Sequence, residues 1–471
     1  MSALHTLLID GKRVITEATD PVINPATEEV IAEAPRAGTA EIDRAVTAAR
    51  RAFPHWAGDE DARRSALEKA ADLLVAHAEA LGRLITLEQG RPLAGAIGEV
   101  HGAAGIVRHY ARFRPETTAQ LAEGERQVQV VRHPLGVVAA IAPWNVPLLL
   151  LIRDIAPALL AGNVVVAKPS EFTPLATLHL GELLAPLFPP GVLNIIAGGK
   201  DVGAELTRHP GIAKIVFTGS VAAGKAILHQ GADDLKRISL ELGGNDAAIV
   251  LADAPVESVA DRLFDAAFQN SGQICFAVKR VYAHRSLFDA LVKALAERAS
   301  RTRVGNGLDP DVHLGPISNR LQFERLIAIV EDARERGATF HSGGAPLPGP
   351  GYFFPPSIVT GVGAGSRIVE EEQFGPVLPI LPFDKEEEAI ALANATQFGL
   401  GGSVWTADPD HGARLAARLD VGLAWVNQHA RPYPDAPSGG HKWSGLGHRG
   451  GQSGYDHYVA LQVLDRVALE A

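Results

Sequence analysis

Cys275 is the only cysteine in the 471-residue chain. It stands in Gly272-Gln273-Ile274-Cys275, thirty-four residues after the carboxylate of Glu241-Leu242-Gly243-Gly244. A reducing compartment maintains no disulfides, so a chain that works there has no structural need of cysteine. Keeping one thiol in a Gly-bearing stretch that suits neither strand nor helix (269–273) points to a reactive group. Taken alone, Cys275 could equally be a small buried apolar residue. The carboxylate changes the balance. A free thiol, with a pKa near ~8.5, is mostly protonated at neutral pH, and a carboxylate acting through water can relieve that.

Groups suited to a dinucleotide lie at the ends of two apolar runs. Ile215-Val216-Phe217 is followed by Thr218-Gly219-Ser220, with Gly224 a turn later, although Gly-x-Gly-x-x-Gly itself is missing from the turns. A glycine at a strand-to-helix turn lets backbone N–H groups approach a pyrophosphate, whose charge suits a helix N-terminus. Lys168-Pro169-Ser170-Glu171 ends another run, and ligands of open α/β sheets bind outside the carboxyl ends of strands. A carboxylate there can accept from both hydroxyls of an adenosine ribose and repels a 2′-phosphate. Each group has an ordinary alternative. Strand-to-helix glycines are common, Lys168 and Glu171 suit an exposed pair, and Glu370-Glu371-Glu372 suits a solvated acidic face.

These groups need a scaffold to position them. Apolar runs at 137–141, 164–167, 193–196, 215–217 and 247–251 alternate with helical segments at 148–160, 175–187, 202–208 and 222–229. Continuous apolar strands alternating with helices predict a parallel sheet covered on both faces, an α/β fold. A hairpin is expected around Asp10-Gly11. Helices are expected over 39–53 and 59–88, the second ended by Pro92 and Gly95. A second α/β region spans 255–427, with helices at 287–301 and 321–336 and a Gly/Pro-rich loop at 342–356.

Composition narrows the class. A chain 46% hydrophobic and 21% charged builds a sizeable core. Net charge is −10 with no basic block, which argues against nucleic acid. The first ten residues lack a basic and then apolar pattern, and 146–152 is too short to span a bilayer, so no membrane is expected and a cytoplasmic location is. There is no His-Glu-x-x-His, and one cysteine precludes cysteine-rich zinc spacing, so no metal is expected.

Together the chain resembles the aldehyde dehydrogenase superfamily. The blocks that carry the likeness are Pro143-Trp144-Asn145-Val146-Pro147, Lys168-Pro169-Ser170-Glu171, Phe217-Thr218-Gly219-Ser220, Glu241-Leu242-Gly243-Gly244, Gly272-Gln273-Ile274-Cys275 and Glu372-Gln373-Phe374-Gly375-Pro376, in the family's order. The resemblance implies an NAD-dependent oxidation of an aldehyde to the acid, with NADP possible. It makes Cys275 the nucleophile that forms a thiohemiacetal and then a thioester, Asn145 an oxyanion donor and Glu241 the general base. Lys168 and Glu171 would hold the adenosine ribose, Gly219 and Ser220 the pyrophosphate and Glu372 the nicotinamide ribose, with Trp144 and Phe374 beside the cofactor. It further implies a Rossmann-type cofactor domain (1–115 and 135–243), a catalytic domain (244–445) and a β oligomerisation arm (116–134 with 459–471), hence a homodimer or homotetramer. The alternating 126–132 suits such an arm.

Departures accompany the likeness. Asn245 stands where Lys is common, Ser438 replaces the usual Phe, and Arg449 occupies the place of a carboxylate that relays protons in some members. His429 and His441 read as surface groups at the substrate mouth. A CoA-acylating relative would tend to lack Glu241, and a non-catalytic NAD-binding member would lack the nucleophile, the oxyanion Asn or the base. Past Pro147, Val146, Leu149, Leu150 and Arg153 share one helix face, which would line the substrate tunnel. Arg is found here in several semialdehyde oxidisers, and its guanidinium could anchor a distal carboxylate or hydroxyl. Pairing of Arg153 with Asp154 or another acid is the alternative.

Overall fold

The computed structural model of the chain describes residues 5–116, 120–123 and 126–467. Among them, one sheet has eight strands in the order Lys12–Val14, Leu7–Ile9, Leu193–Ile195, Val164–Lys168, Val137–Ile141, Lys214–Thr218, Arg237–Glu241 and Gly445–Leu446. The five from Leu193–Ile195 to Arg237–Glu241 run parallel. The three central strands are buried along their whole length, as apolar runs covered on both faces must be. Asp10 and Gly11 (φ 56° and 71°) make the expected tight hairpin turn.

Strand Arg237–Glu241, not expected from sequence, pairs in register with Lys214–Thr218, opposing Thr218 to Glu241. The run at 247–251, read in series with the first sheet, forms Asp246–Val250 in a second sheet instead. That sheet orders Thr339–Phe340, Ser357–Thr360, Val377–Phe383, Val278–His284, Asp246–Val250, Gly401–Trp405 and Leu423–Val426, all parallel except the first pair. Only 242–245 separate the sheets, and the thiol loop leads into Val278–His284, whose first residue pairs with Asp246, so Glu241 and that loop both border the junction.

The single helix expected over 59–88 is two, Glu60–Ala76 and Ala78–Gln89, and Gly90 in the left-handed region (φ 100°) ends the second. Pro92 and Gly95 begin helix Leu93–Arg112 rather than ending its predecessor. Proline before the first turn forfeits no helical N–H bond. Strand Val459–Val467 pairs antiparallel with all nine residues of Arg126–Pro134, and Gln120–Glu123 adds a third strand. Of the expected arm, residues 117–119, 124–125 and 468–471 lie outside the described residues.

Candidate active site

After helix Val256–Phe268 the chain reverses through Asn270, Ser271 and Gly272, all left-handed (φ 53°, 55° and 72°). A side-chain-bearing residue there costs about 1–3 kcal/mol, so the loop has to be held. Ser271 Oγ donates to Gly315 O at 2.7 Å, and Asn270 Nδ2 to Asn145 O at 3.0 Å. Gln273 Nε2 donates to Asn270 O and Pro316 O, while its Oε1 accepts from Ser318 N at 2.9 Å. Gly272 admits no side chain, because a Cβ would stand 2.3 Å from Gly375 O. Beneath the loop, buried Lys279 Nζ donates to Gly272 O (2.7 Å) and Ile274 O (2.8 Å).

Cys275 is thus presented on a rigid reversal, partly buried. Burial pushes its thiol up to about 12, helped by the Glu241, Glu372 and Asp246 carboxylates and opposed by Lys279. The resting thiol is therefore protonated at neutral pH, and its use as a nucleophile requires a base.

Asn145, buried, lies just before helix Pro147–Leu160, with Pro147 at the first helical position. Its Nδ2 donates to Gln273 O at 2.8 Å, two residues from the thiol. An amide has two N–H groups, and the second is left for an incoming oxygen. The helix start is fixed from below: Glu99 Oε1 accepts from Leu148 N (2.9 Å) and Leu149 N (3.1 Å). Its other oxygen pairs with Arg91, which donates to Asn145 O at 2.8 Å. A cavity of about 1760 Å³ joins Asn145, Val146, Leu149, Leu150, Arg153 and Cys275. The helix face expected to share one side does so.

At the far end of that face Arg153 Nη2 donates to Ser438 Oγ at 2.5 Å. The alternative pairing of Arg153 with Asp154 is not what the structure shows. Asp154 is taken by buried Arg449, whose Nε and Nη2 reach its two oxygens at 2.6 and 2.8 Å. Glu241 ends its strand with its side chain 14% exposed and Arg449 Nη1 3.9 Å from its Oε2. Burial raises the Glu241 carboxyl, with Arg449 and then Arg153 opposing.

The groups expected to hold a dinucleotide gather at the carboxyl ends of the first sheet and at the junction. Lys168 ends its strand with a buried side chain, and Nζ donates to Pro169 O at 3.1 Å, leaving two ammonium protons for a ligand. Burial lowers its pKa, and Glu171 opposes most strongly. Ser220 caps helix Val221–Gly231, its Oγ accepting from Ala223 N at 3.3 Å, so Gly219 and Ser220 bring that positive helix end to the sheet edge. Glu372 is no solvated acid: its Oε1 accepts from Gly244 N at 3.0 Å, and burial raises it to about 7. A Cβ on Gly243 would stand 2.3 Å from Glu372 Oε2, so that glycine keeps the carboxylate's cradle open. Phe374 meets the Trp144 ring edge-on at 5.3 Å between centroids, and Lys279 Nζ lies 5.2 Å from its own centroid. Buried ammonium, helix N-terminus and cradled carboxylate form a donor and acceptor set that fits a dinucleotide's phosphates and riboses.

His429 corrects the reading as a surface group, whereas the side chain of His441 is half exposed, against Asp420. The His429 side chain is fully buried, with Nε2 2.9 Å from Phe276 O and 3.3 Å from Asp246 Oδ2 and Nδ1 2.9 Å from Ser403 Oγ. Phe276 O is a carbonyl and can only accept, so the Nε2 contact carries the imidazole's proton there. The imidazole thereby donates through Nε2 to the carbonyl next to Cys275. Lys279, Arg91 and Glu99 also belong to the site and were not expected; no motif spacing marks them. Among the described residues no group of three or more His, Cys, Asp or Glu could hold a metal ion, and no helix is long and apolar enough to cross a membrane.

A thiol on a held turn whose Gln273 carbonyl takes an Asn145 N–H, with carboxylates acting on it and a nucleotide-suited sheet edge beside it, fits a nicotinamide-linked enzyme of covalent catalysis. The model of the aldehyde dehydrogenase family matches residues 15–464. An aldehyde dehydrogenase of a Fusarium species is 41% identical over 406 residues, 85% of this chain and 86% of that protein. The mitochondrial succinate-semialdehyde dehydrogenase of Arabidopsis thaliana is 38% identical over 425 residues, 89% of this chain and 80% of that protein. The crystal structure of a betaine aldehyde dehydrogenase from Staphylococcus aureus in complex with NAD+ superposes with a TM-score of 0.95 at 33% identity, covering 98% of this chain and 94% of that one. The chain belongs to the aldehyde dehydrogenase family and oxidises an aldehyde with a nicotinamide cofactor.

Proposed function

We propose that the chain converts an aldehyde, NAD and water to a carboxylate, NADH and two protons, with Cys275, Asn145 and Glu241 as its catalytic residues. The observation that carries this is the meeting of three motifs: the Asn145 amide on the loop of Cys275, in one cavity, with Glu241 among the carboxylates acting on the thiol.

Cys275 Sγ bonds to the carbonyl carbon while its proton passes through water to Glu241. The carbonyl oxygen becomes an oxyanion that accepts from Asn145 Nδ2 and the Cys275 N–H; one such donor contributes about 3 kcal/mol. NAD, when bound, would supply the acceptor for the hydride that leaves the thiohemiacetal carbon, and the carbon left on Cys275 is then a thioester. Glu241 releases that first proton to solvent and then takes a proton from water as the water oxygen bonds to the acyl carbon. The C–S bond breaks, the departing sulfur takes back the proton held by Glu241 to restore the thiol, and the acid leaves and loses its own proton to solvent. Lys168, Glu171, Gly219, Ser220 and Glu372 would bind NAD, with Trp144 and Phe374 packing beside it.

Arg153 supports a short substrate with a distal carboxylate. It faces the cavity with a hydroxyl partner, and among the described residues no carboxylate lies within ion-pair distance of it. A panel of carboxylated, aliphatic and aromatic aldehydes, read as NADH absorbance, tests this together with the cofactor choice. NAD should exceed NADP in kcat/KM, because Glu171 would face the added phosphate; a clear NADP preference contradicts that assignment. Arg153→Leu should lower kcat/KM by about tenfold for a carboxylated aldehyde, the value of one charge-assisted contact, and spare its uncharged analogue. Equal losses on both would reduce Arg153 to a tunnel-shaping residue.

The proposed division is a cofactor domain (1–115 and 135–243), a catalytic domain (244–445) and an arm (116–134 with 459–471); the two sheets and the three-stranded ribbon among the described residues support it, apart from strand Gly445–Leu446, which joins the first sheet. Leu461, Val463, Leu464 and Val467 are exposed on the ribbon, an apolar surface suited to a second copy of the chain. Light scattering of the purified chain should give two or four copies, and a monomer would contradict the arm. A single thiol with no structural pairing supports work in the cytoplasm.

A further inference from the structure

Arg449 is a buried cation whose contacts are nearly all assigned. Its Nε and Nη2 hold Asp154, and Nη2 also donates to Thr218 Oγ1 at 2.6 Å. The guanidinium is a rigid planar fork, so fixing that edge aims the remaining nitrogen, Nη1, at Glu241 Oε2, 3.9 Å away. Its backbone is fixed too: Arg449 and Ser438 exchange both N–H···O bonds at 2.7 Å, and Ser438 Oγ accepts from Arg153. The three anchors come from helix Pro147–Leu160, the end of strand Lys214–Thr218 and Ser438.

We propose that Arg449 is a positioning residue for thioester hydrolysis: a permanent cation, locked on Asp154 and Thr218, that holds Glu241 as the carboxylate able to take the water's proton. The proposal rests on Glu241 being the base. An arginine does not release its proton, so Arg449 cannot itself relay one. It acts only through charge and place. The charged groups acting on Glu241 are Arg449 from the C-terminal segment and Arg153 and Asp154 from the helix, and the Cys275 thiol senses Glu241 in turn. Behind them Lys214, donating to Ser239 Oγ at 2.8 Å, acts on Asp154, and Tyr458 on Arg449. Burial drives the Glu241 carboxyl upward, Arg449 is the largest opposing influence, and Asp154 adds to the rise.

The two partners therefore make opposite predictions. In single-turnover deacylation between pH 5 and 9, Arg449→Gln should move the ascending pH limb up by about one pH unit, the effect of removing an adjacent opposite charge. Asp154→Asn should move it down, because it leaves Arg449 to Glu241 alone. Arg449→Lys, which keeps the charge, should leave it near the wild-type position. A merely structural role would lower the rate evenly at all pH with the limb in place, or move both variants the same way; either result overturns the proposal. Should Arg449→Gln fail to fold, the downward shift in Asp154→Asn decides. Glu241→Gln in the same series separates the two ideas. A limb that survives in it refutes Glu241 as the base, whereas a limb that vanishes there yet stays fixed in the Arg449 and Asp154 variants refutes only the positioning role.

Discussion

Cys275→Ala should lose dehydrogenase turnover by on the order of 10⁴-fold or more, and any esterase activity with it, while binding NAD with unchanged affinity. No second cysteine exists to substitute for it. The loop that presents it is held by Ser271, Gln273, Asn270 and Lys279 rather than by the thiol, so alanine should leave the backbone in place. The groups assigned to NAD sit on other elements, which is why binding by fluorescence titration should be unaffected. Turnover retained within tenfold would refute the nucleophile assignment.

Glu241→Gln should split the reaction into a burst of NADH and a slow steady state, with deacylation down by on the order of a hundredfold or more. Two consequences oppose each other in the first half. The substitution removes the base for the thiol proton, but it also removes a negative neighbour that holds the thiol high, which makes the thiolate easier to form. In the second half only the loss operates, because Glu241 is the group assigned to the water's proton. Stopped-flow absorbance resolves the two phases, and parallel loss of both would count against the water-activating role.

The motif residues were legible because each is tied to a local pattern, a Gly-bearing turn or a strand end, that spacing alone displays. Strand Arg237–Glu241 was not, since Arg, Ser and Glu alternate with only two apolar residues, and its strand character comes from pairing with Lys214–Thr218. Pro92 and Gly95 were read as a stop because proline breaks helices, yet the same residue starts one where no N–H is needed. His429 was read as exposed because its burial depends on Asp246, Ser403 and Phe276, each far away in sequence. Arg449 was visible as a departure from the family pattern, but its partner Asp154, 295 positions away, could only come from the fold.

The most direct measurement is intact-chain and peptide mass spectrometry of Glu241→Gln quenched in acid within the burst, after mixing with aldehyde and NAD. Slow deacylation should leave most chains heavier by one acyl group, with the adduct on the peptide that carries Cys275 and lost on treatment with hydroxylamine. NADH formed in the burst without any adduct, or with the acyl group on another residue, would contradict covalent catalysis by Cys275.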